Sequence, residues 1–311
     1  MKIRSIIPAI LIPCAVSAAL TATVNAAITI ETIAIGNYSN TADSTNYGSV
    51  AYAYNIGKTE VTTAQYVAFL NATASTADTY TLYNPSMANM GGSGVGISRT
   101  TGGSTTFTYT VTGGGEDRPV AYVSWFDAAR FSNWMTTGQG TTTETGSYTL
   151  AGAVSGNTVA RNESPNGPYY YIPTENEWYK AAYYNPGTTT YSLFPNGNNA
   201  ITTDDANYAS AVGTTTNVGT YSGDPSSYGT FDQGGNVREM VNFTAAAADG
   251  VILRGGSYAS NISFLSSASN PLSPTDFESA SAGFRVSVVP EPSSALLAML
   301  GGSFLLLRRK R

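Results

Sequence analysis

Three helix start signals constrain this chain more than any other feature. In each signal a Thr or Ser is followed three residues later by a side chain that can return a hydrogen bond, the arrangement called a capping box. The three boxes are Thr62 with Gln65, Ser124 with Asp127, and Thr174 with Glu177. Long stretches rich in Gly, Thr and Ser separate them, without the regular alternation of strand and helix that builds a parallel sheet. This pattern predicts an α+β fold with short helices, short strands and many loops.

Short strands are predicted around these helices. The first helix is expected over 59–72, and the other two begin at Ser124 and Thr174. Apolar or alternating runs predict strands over 28–35, 51–57, 107–111, 120–123, 251–253 and 283–289. Residues 91–115 are expected to form a surface hairpin or loop, and 136–162, 187–229 and 260–278 are expected to be largely irregular. The pattern shows no internal repeat and no domain linker.

Residues 1–26 are typical of a secretory signal. Lys2 and Arg4 precede an apolar run over 6–20, and residues 24–26 provide a small-residue cleavage site. The alternative is a lipoprotein signal acylated at Cys14, which Pro13 fits poorly. A single domain is expected over 27–288.

Residues 289–311 form a second export feature. Pro290, Glu291 and Pro292 are followed by an apolar run over 295–307 and by the basic end 308–311. This order resembles the PEP-CTERM sorting tail of exported bacterial proteins, which implies an exosortase-type sorting enzyme as a partner. It also implies transient anchoring in the inner membrane, followed by release to the cell surface or extracellular matrix. A plain membrane anchor is the alternative, although the run is shorter than the ~20 residues of a standard spanning helix.

The composition excludes several kinds of catalytic and metal-binding chemistry. Six of the 15 Lys and Arg lie in the two ends, so the exported domain is more acidic than the net charge of −5 of the whole chain. Such a surface repels nucleic acid and suits divalent cations. The chain has no histidine, and its only cysteine, Cys14, lies in the signal. Catalytic triads and metal sites built on imidazole or thiolate are therefore excluded in the exported form. A carboxylate pair for glycoside hydrolysis stays open, but no spacing indicates one.

The stretch 231–258 suggests a binding site for a hard cation. Asp232, Asn236 and Glu239 lie in one tight segment with Gly234 and Gly235, where the chain can bend sharply. A bent segment places backbone carbonyls beside carboxylates, and calcium is bound by this mixture of oxygen ligands. The alternative is that Asp232 and Asn236 only cap the turn.

Six ordered motifs over residues 52–288 resemble the formylglycine-generating enzyme family, also called the sulfatase-modifying factor family. The motifs are GKTEVT (57–62) with Gln65-Tyr66, RPV (118–120) with VSW (123–125) and Asp127-Ala128, IPTE (172–175) with Glu177-Trp178, GNV (235–237) with Glu239, RGGS (254–257), and GFR (283–285). The resemblance implies a C-type-lectin-like fold that is α+β, loop-rich and mostly antiparallel.

The family's activity is the oxidation of a sulfatase cysteine to formylglycine, with copper held by two cysteines shortly after the RGGS motif. The matching positions here fall near Ser260 and Leu265. Serine and leucine cannot replace thiolates on Cu(I), which requires soft ligands. Two tryptophans of the family's GNxWEW pattern are replaced by Arg238 and Met240. The resemblance therefore carries over the fold, and we expect neither copper nor the oxidase activity.

The resemblance also implies structural calcium. By position, the ligands of one ion would be the Asp232 and Glu239 side chains with the Gly235 and Val237 carbonyls. A second family site, whose partner loop is shortened here, would use Asn207 and the Tyr208 carbonyl.

Two functions stay open at this stage. The first is a non-catalytic surface or matrix protein that binds a glycan, an exopolysaccharide or a surface protein. Tyr-rich loops carrying Tyr183, Tyr184, Tyr191 and Tyr208 could contribute to binding, or could simply pack. The second is an enzyme that uses the family cleft near Ser257 and Ser260 with different chemistry. Carboxylates or a Lys–Tyr pair at this cleft would favour the enzyme, and small residues alone would favour binding.

Overall fold

The three α-helices begin where the capping boxes predict them. The computed structural model describes residues 27–92, 94–103, 106–162, 169–243 and 249–289. Within these ranges the α-helices are α1 (Thr63–Thr73), α2 (Trp125–Thr136) and α3 (Glu175–Tyr183). In each box the Thr or Ser side chain accepts from the backbone of the third helical residue, whose side chain accepts from the backbone of the cap. Two 3-10 segments, Pro85–Gly92 and Ile262–Leu265, complete the helical structure of the described residues.

Twelve short strands accompany the helices in the described residues. They are β1 (Thr32–Ile35), β2 (Tyr54–Gly57), β3 (Gly96–Gly102), β4 (Thr106–Thr112), β5 (Tyr169–Tyr171), β6 (Tyr184–Asn185), β7 (Thr190–Tyr191), β8 (Arg238–Val241), β9 (Val251–Arg254), β10 (Leu272–Ser273), β11 (Ala282–Gly283) and β12 (Ser287–Val289). They form two four-stranded sheets, in the orders β1-β2-β12-β5 and β10-β9-β8-β11, and two separate hairpins, β3-β4 and β6-β7. All strand pairs are antiparallel except β8 with β11. The predicted α+β fold is confirmed.

The strands predicted over 28–35 and 51–57 are shorter in the structure, where β1 begins at Thr32 and β2 at Tyr54. Two other predicted strands differ more strongly. The strand expected over 120–123 is wrong, because Tyr122 has a positive φ of 57°, which breaks an extended strand. The pairing in this segment is limited to one isolated bridge between Pro119, just before it, and Thr62. The strand expected over 283–289 is two strands, because the chain changes sheets between them. β11 pairs with β8, and β12 pairs with β2 and β5.

An aromatic core lies between α1 and α2. Phe131 of α2 packs edge-on against Phe69 of α1 at 5.6 Å between ring centroids, and against Phe284 at 5.4 Å. Trp134 joins this cluster at 5.5 Å from Phe69. Trp125, which begins α2, is fully buried beside Tyr148. The core thus holds the segment that carries Phe284 between the two sheets.

No helix in the part of the chain that the structure describes is long and apolar enough to cross a bilayer. The expected signal over 1–26 and the sorting motif at Pro290, Glu291 and Pro292 lie outside the described residues.

Candidate functional site

The stretch 231–258 folds back on itself at a sharp bend. Asp232 and Asn236 have positive φ angles of 59° and 56°, and Gly235 between them has a φ of 85°. The Gly235 N–H donates to the Gly255 carbonyl at 2.9 Å, and the Tyr258 N–H donates to the Asn236 carbonyl at 2.9 Å. The RGGS motif is therefore hydrogen-bonded directly to the predicted calcium turn.

The structure also brings the two predicted calcium clusters together. The Asn236 N–H donates to the Asn207 carbonyl at 2.9 Å. A Cβ atom placed on Gly235 would lie 2.2 Å from the same carbonyl oxygen, so only glycine fits at this contact. The Asn207 Nδ2 group donates to the Thr214 carbonyl at 2.9 Å, but its Oδ1 atom is buried without a hydrogen-bond partner. A buried amide oxygen without a donor is an available ligand for a cation. Tyr208, the other expected residue, is buried, and its hydroxyl donates to the Ile201 carbonyl at 3.1 Å.

Glu239 is engaged by an arginine. Its Oε2 atom accepts from Arg285 Nε at 2.5 Å and from Trp178 Nε1 at 2.7 Å, and its Oε1 atom accepts from Arg285 Nη2 at 2.6 Å. Both Glu239 and Arg285 are fully buried. The Arg285 guanidinium therefore already balances the charge of Glu239, one of the two carboxylates expected to bind calcium.

Among the described residues, Glu60 is the buried carboxylate whose side chain accepts no hydrogen bond. It is 2% exposed, and both of its carboxylate oxygens are buried without a hydrogen bond to any described residue. Burial raises the pKa of Glu60 well above its ordinary value, and the nearby carboxylates of Asp232 and Glu239 raise it further, while the Arg285 guanidinium acts in the opposite direction. A buried carboxylate without donors is costly when ionised, and a bound cation would remove that cost. Sequence reasoning placed Glu60 in the GKTEVT motif but did not assign it to the site.

Asp232 also lies in this region. Its Oδ2 atom accepts from the Gly219 N–H at 2.6 Å, and burial raises the pKa of Asp232 to about 6. A surface cleft of about 480 Å³ is lined by Glu60 together with Gly219, Lys58 and Phe231. Part of Glu60 therefore borders this cleft, while its two carboxylate oxygens are buried.

The donor set fits a hard cation. Carboxylate, amide and carbonyl oxygens are the ligands that calcium prefers. In the described ranges no group of three or more His, Cys, Asp or Glu side chains is arranged to hold a metal ion. Backbone carbonyls such as those of Gly235 and Val237 would therefore have to complete a site built on Glu60 and Asp232.

The positions of the family's copper ligands offer no soft donor. The Ser260 Oγ atom lies 3.0 Å from the Ser257 amide nitrogen and 3.0 Å from Ser257 Oγ. Leu265 is fully buried in a cluster with Phe194, Ile201 and Tyr208. The donor set thus does not fit Cu(I). Among the described residues, neither serine hydroxyl is hydrogen-bonded to a carboxylate or a lysine.

The replaced tryptophan positions and the Tyr-rich loops have structural roles. Met240 is buried in the main core, and Arg238 lies over the Phe277 ring at 5.6 Å. The Tyr side chains mainly pack against one another. Tyr183 and Tyr184 are buried, and Tyr191 contacts Tyr184 with ring centroids 5.0 Å apart. The packing alternative therefore describes these tyrosines better than a binding surface does.

Comparisons with known proteins identify the family and the fold. A family model described as "Sulfatase-modifying factor enzyme 1-like domain" matches residues 20–289. Among solved structures, variable protein 1 of Treponema denticola is 22% identical with a TM-score of 0.58, covering 85% of this chain and 97% of that chain. CarF is 21% identical with a TM-score of 0.54, covering 83% and 98%. PvdO from Pseudomonas aeruginosa is 16% identical with a TM-score of 0.50, covering 84% and 92%. These identities show a shared fold alone, and no curated protein matches the chain.

Proposed function

Because the chain belongs to the sulfatase-modifying factor enzyme 1-like family, we propose that it is an exported, calcium-stabilised binding module without the family's oxidase chemistry. The observation that carries this proposal is the pair of residues at the expected copper positions. Ser260 is hydrogen-bonded to Ser257, and Leu265 is part of an apolar cluster. Neither side chain is a soft ligand, and the described domain contains no cysteine and no histidine.

The alternative of a different enzyme at the same cleft has less support. General acid–base or nucleophilic catalysis needs a side-chain base within hydrogen-bond reach of the reacting group. Ser257 and Ser260 bond to each other instead of to a described base. Small polar residues at this position support binding over catalysis.

The experiment is a conversion assay on the purified exported form. A peptide with a sulfatase-type cysteine is incubated with the protein, copper and oxygen, and mass spectrometry follows formylglycine formation. A copper-loaded formylglycine-generating enzyme is the positive control. We expect no product above the level of a protein-free sample. Turnover that depends on this protein would overturn the proposal.

Calcium is the second part of the proposal. Glu60 and Asp232 would hold the ion with the backbone of the 235–237 bend, and the orphaned Oδ1 atom of Asn207 supports a second ion. The ion would supply charge neutralisation and backbone order, with no role in catalysis. Carbonyls and carboxylates in a bent segment suit calcium better than magnesium, which demands a smaller and more regular shell.

Export to the cell surface or extracellular matrix is the third part, and it is supported by the two terminal sequence features. An exosortase-type enzyme would remove residues after the Pro290-Glu291-Pro292 motif. Intact-mass measurement of the surface-located protein is expected to show loss of the basic C-terminus. Retention of Arg311 on that protein would instead support a plain anchor.

A further inference from the structure

A second surface cleft lies beside the β3–β4 hairpin. Its volume is about 480 Å³, and it shares no lining residue with the cleft that reaches Glu60. Its walls include a basic, two acidic, one amide and two aromatic side chains, namely Arg99, Asp78, Glu278, Asn84, Tyr83 and Phe107. This volume is within the usual range of roughly 300 to 1,000 Å³ for small-ligand sites.

Arg99 supplies the hydrogen-bond donors of this cleft. Its guanidinium carbon lies 4.8 Å from the centre of the Tyr83 ring and 4.9 Å from that of Phe107. Cation–π contacts with these two rings therefore fix the position of the guanidinium, while one third of the Arg99 side chain stays exposed. The nearest carboxylate, Asp78, lies 3.9 Å away and already accepts from the Leu82 and Tyr83 N–H groups. Because this ion pair is longer than a hydrogen bond, Arg99 retains N–H groups for a ligand.

Glu278 supplies the hydrogen-bond acceptor. It is half-buried, and its Oε2 atom accepts a short hydrogen bond from the Asn84 side chain. Asn84 is itself held by the Ser86 N–H, which donates to its Oδ1 atom at 2.8 Å. Among the described residues Glu278 forms no ion pair. Its carboxylate therefore has lone pairs left for a donor on a ligand.

The mixture of charges selects the ligand class. An anion would be repelled by Glu278 and Asp78, and a cation would meet the guanidinium of Arg99. A purely apolar ligand would bury these groups without hydrogen bonds, which is unfavourable. A sugar ring offers hydroxyls that both donate and accept, and apolar C–H faces for the half-buried Phe107 ring. A neutral ligand is also not repelled by the acidic surface of the domain. We infer that this cleft binds a neutral sugar unit of a glycan, an inference that rests on the proposed binding function.

The test uses the full exported protein and immobilised polysaccharides. Dextran, mannan and galactan are the neutral probes, alginate is the acidic probe, and chitosan is the cationic probe. Binding is measured by biolayer interferometry for the parent and for Arg99→Gln and Glu278→Gln. Lys58→Gln and Glu31→Gln are the matched controls, since they make the same charge changes at a surface ion pair outside this cleft. Melting temperatures of all variants confirm that each is folded.

We expect the parent to bind at least one neutral probe. Arg99→Gln and Glu278→Gln should each weaken that binding at least tenfold, because hydrogen bonds to charged groups are the stronger kind. The controls should bind like the parent. Binding only to alginate or chitosan, no binding to any probe, or neutral binding that both cleft variants leave unchanged would overturn the inference. These results are independent of the conversion assay, so failure here is distinguishable from failure of the proposed function.

Discussion

Glu239 and Arg285 form a two-point ion pair inside the domain, with Oε2–Nε at 2.5 Å and Oε1–Nη2 at 2.6 Å. Arg285 lies between β11 and β12, where the chain passes from one sheet to the other, and Glu239 lies in β8. The remaining Arg285 donors reach the carbonyls of Gly57 at 2.9 Å and Phe231 at 2.8 Å. The pair thus joins both sheets to the segment before the predicted calcium turn.

Breaking this pair should strongly destabilise the domain. Glu239→Gln removes the charge that balances Arg285, and one partner of a buried pair left alone typically costs about 3–5 kcal/mol. Glu31→Gln, which breaks the exposed pair with Lys58, should cost at most about 1 kcal/mol. Urea unfolding with a shared slope gives both values. Equal losses in the two variants would show that burial of Glu239 and Arg285 does not govern the energy of their pair.

Substitution of Gly235 tests the contact between the two predicted calcium clusters. Gly235 and Gly138 share a φ of 85°, but a Cβ on Gly235 would meet the Asn207 carbonyl at 2.2 Å whereas Gly138 faces open space. Alanine at either position has the same backbone strain of about 1–2 kcal/mol. Gly235→Ala should therefore lower the free energy of unfolding by clearly more than Gly138→Ala does. Unfolding curves that coincide would mean that the bend is not packed against Asn207 in solution.

Buried carboxyl groups should make the metal-free protein more stable in mild acid. Burial raises the pKa of Asp127, in the α2 capping box, from 3.8 to about 7. Between these values the folded state binds more protons than the unfolded state, so the free energy of unfolding falls as pH rises from about 4 to about 7. Asp127→Asn keeps an acceptor for Ser124 without the titration. Urea unfolding in chelator at pH 5 and pH 8 should show a smaller difference for this variant, and an unchanged difference would contradict the assignment.

Local signals made much of the fold predictable. Each capping box depends on residues three apart, so Thr62, Ser124 and Thr174 could be identified as helix caps directly from the sequence. The change of sheet after Gly283 could not be predicted from the sequence, because it depends on pairing with distant strands. The same holds for the site. Asp232 and Asn236 signal a turn by themselves, whereas the partner of Glu239 is 46 residues away. Glu60 can be identified as a candidate ligand only from the structure, which shows that its buried carboxylate has no hydrogen-bond donor.

The pH dependence of calcium binding follows from the same carboxylates. Burial raises the pKa of Asp232 to about 6 and that of Glu60 well above its ordinary value, so protons compete with the cation at these oxygens. Calcium affinity should therefore increase as pH rises from 5 to 8, with proton release on binding. Calorimetric titration in two buffers of different ionisation enthalpy measures that release. A pH-independent affinity would place the ion away from Glu60 and Asp232.

Calcium binding at Glu60 is tested by the effect of the ion on the melting temperatures of the parent and of Glu60→Gln. A ligand that binds only the folded state adds about 2.7 kcal/mol at a hundredfold excess over Kd, enough to raise the melting temperature by several degrees. We predict this rise for the parent in millimolar calcium, with reversal by chelator and a much smaller rise in magnesium. Glu60→Gln should lose most of the response, and Glu116→Gln, which changes an exposed carboxylate outside the Glu60 cleft, should keep it. Equal responses of the parent and Glu60→Gln, or no response of the parent, would show that calcium is not bound at Glu60.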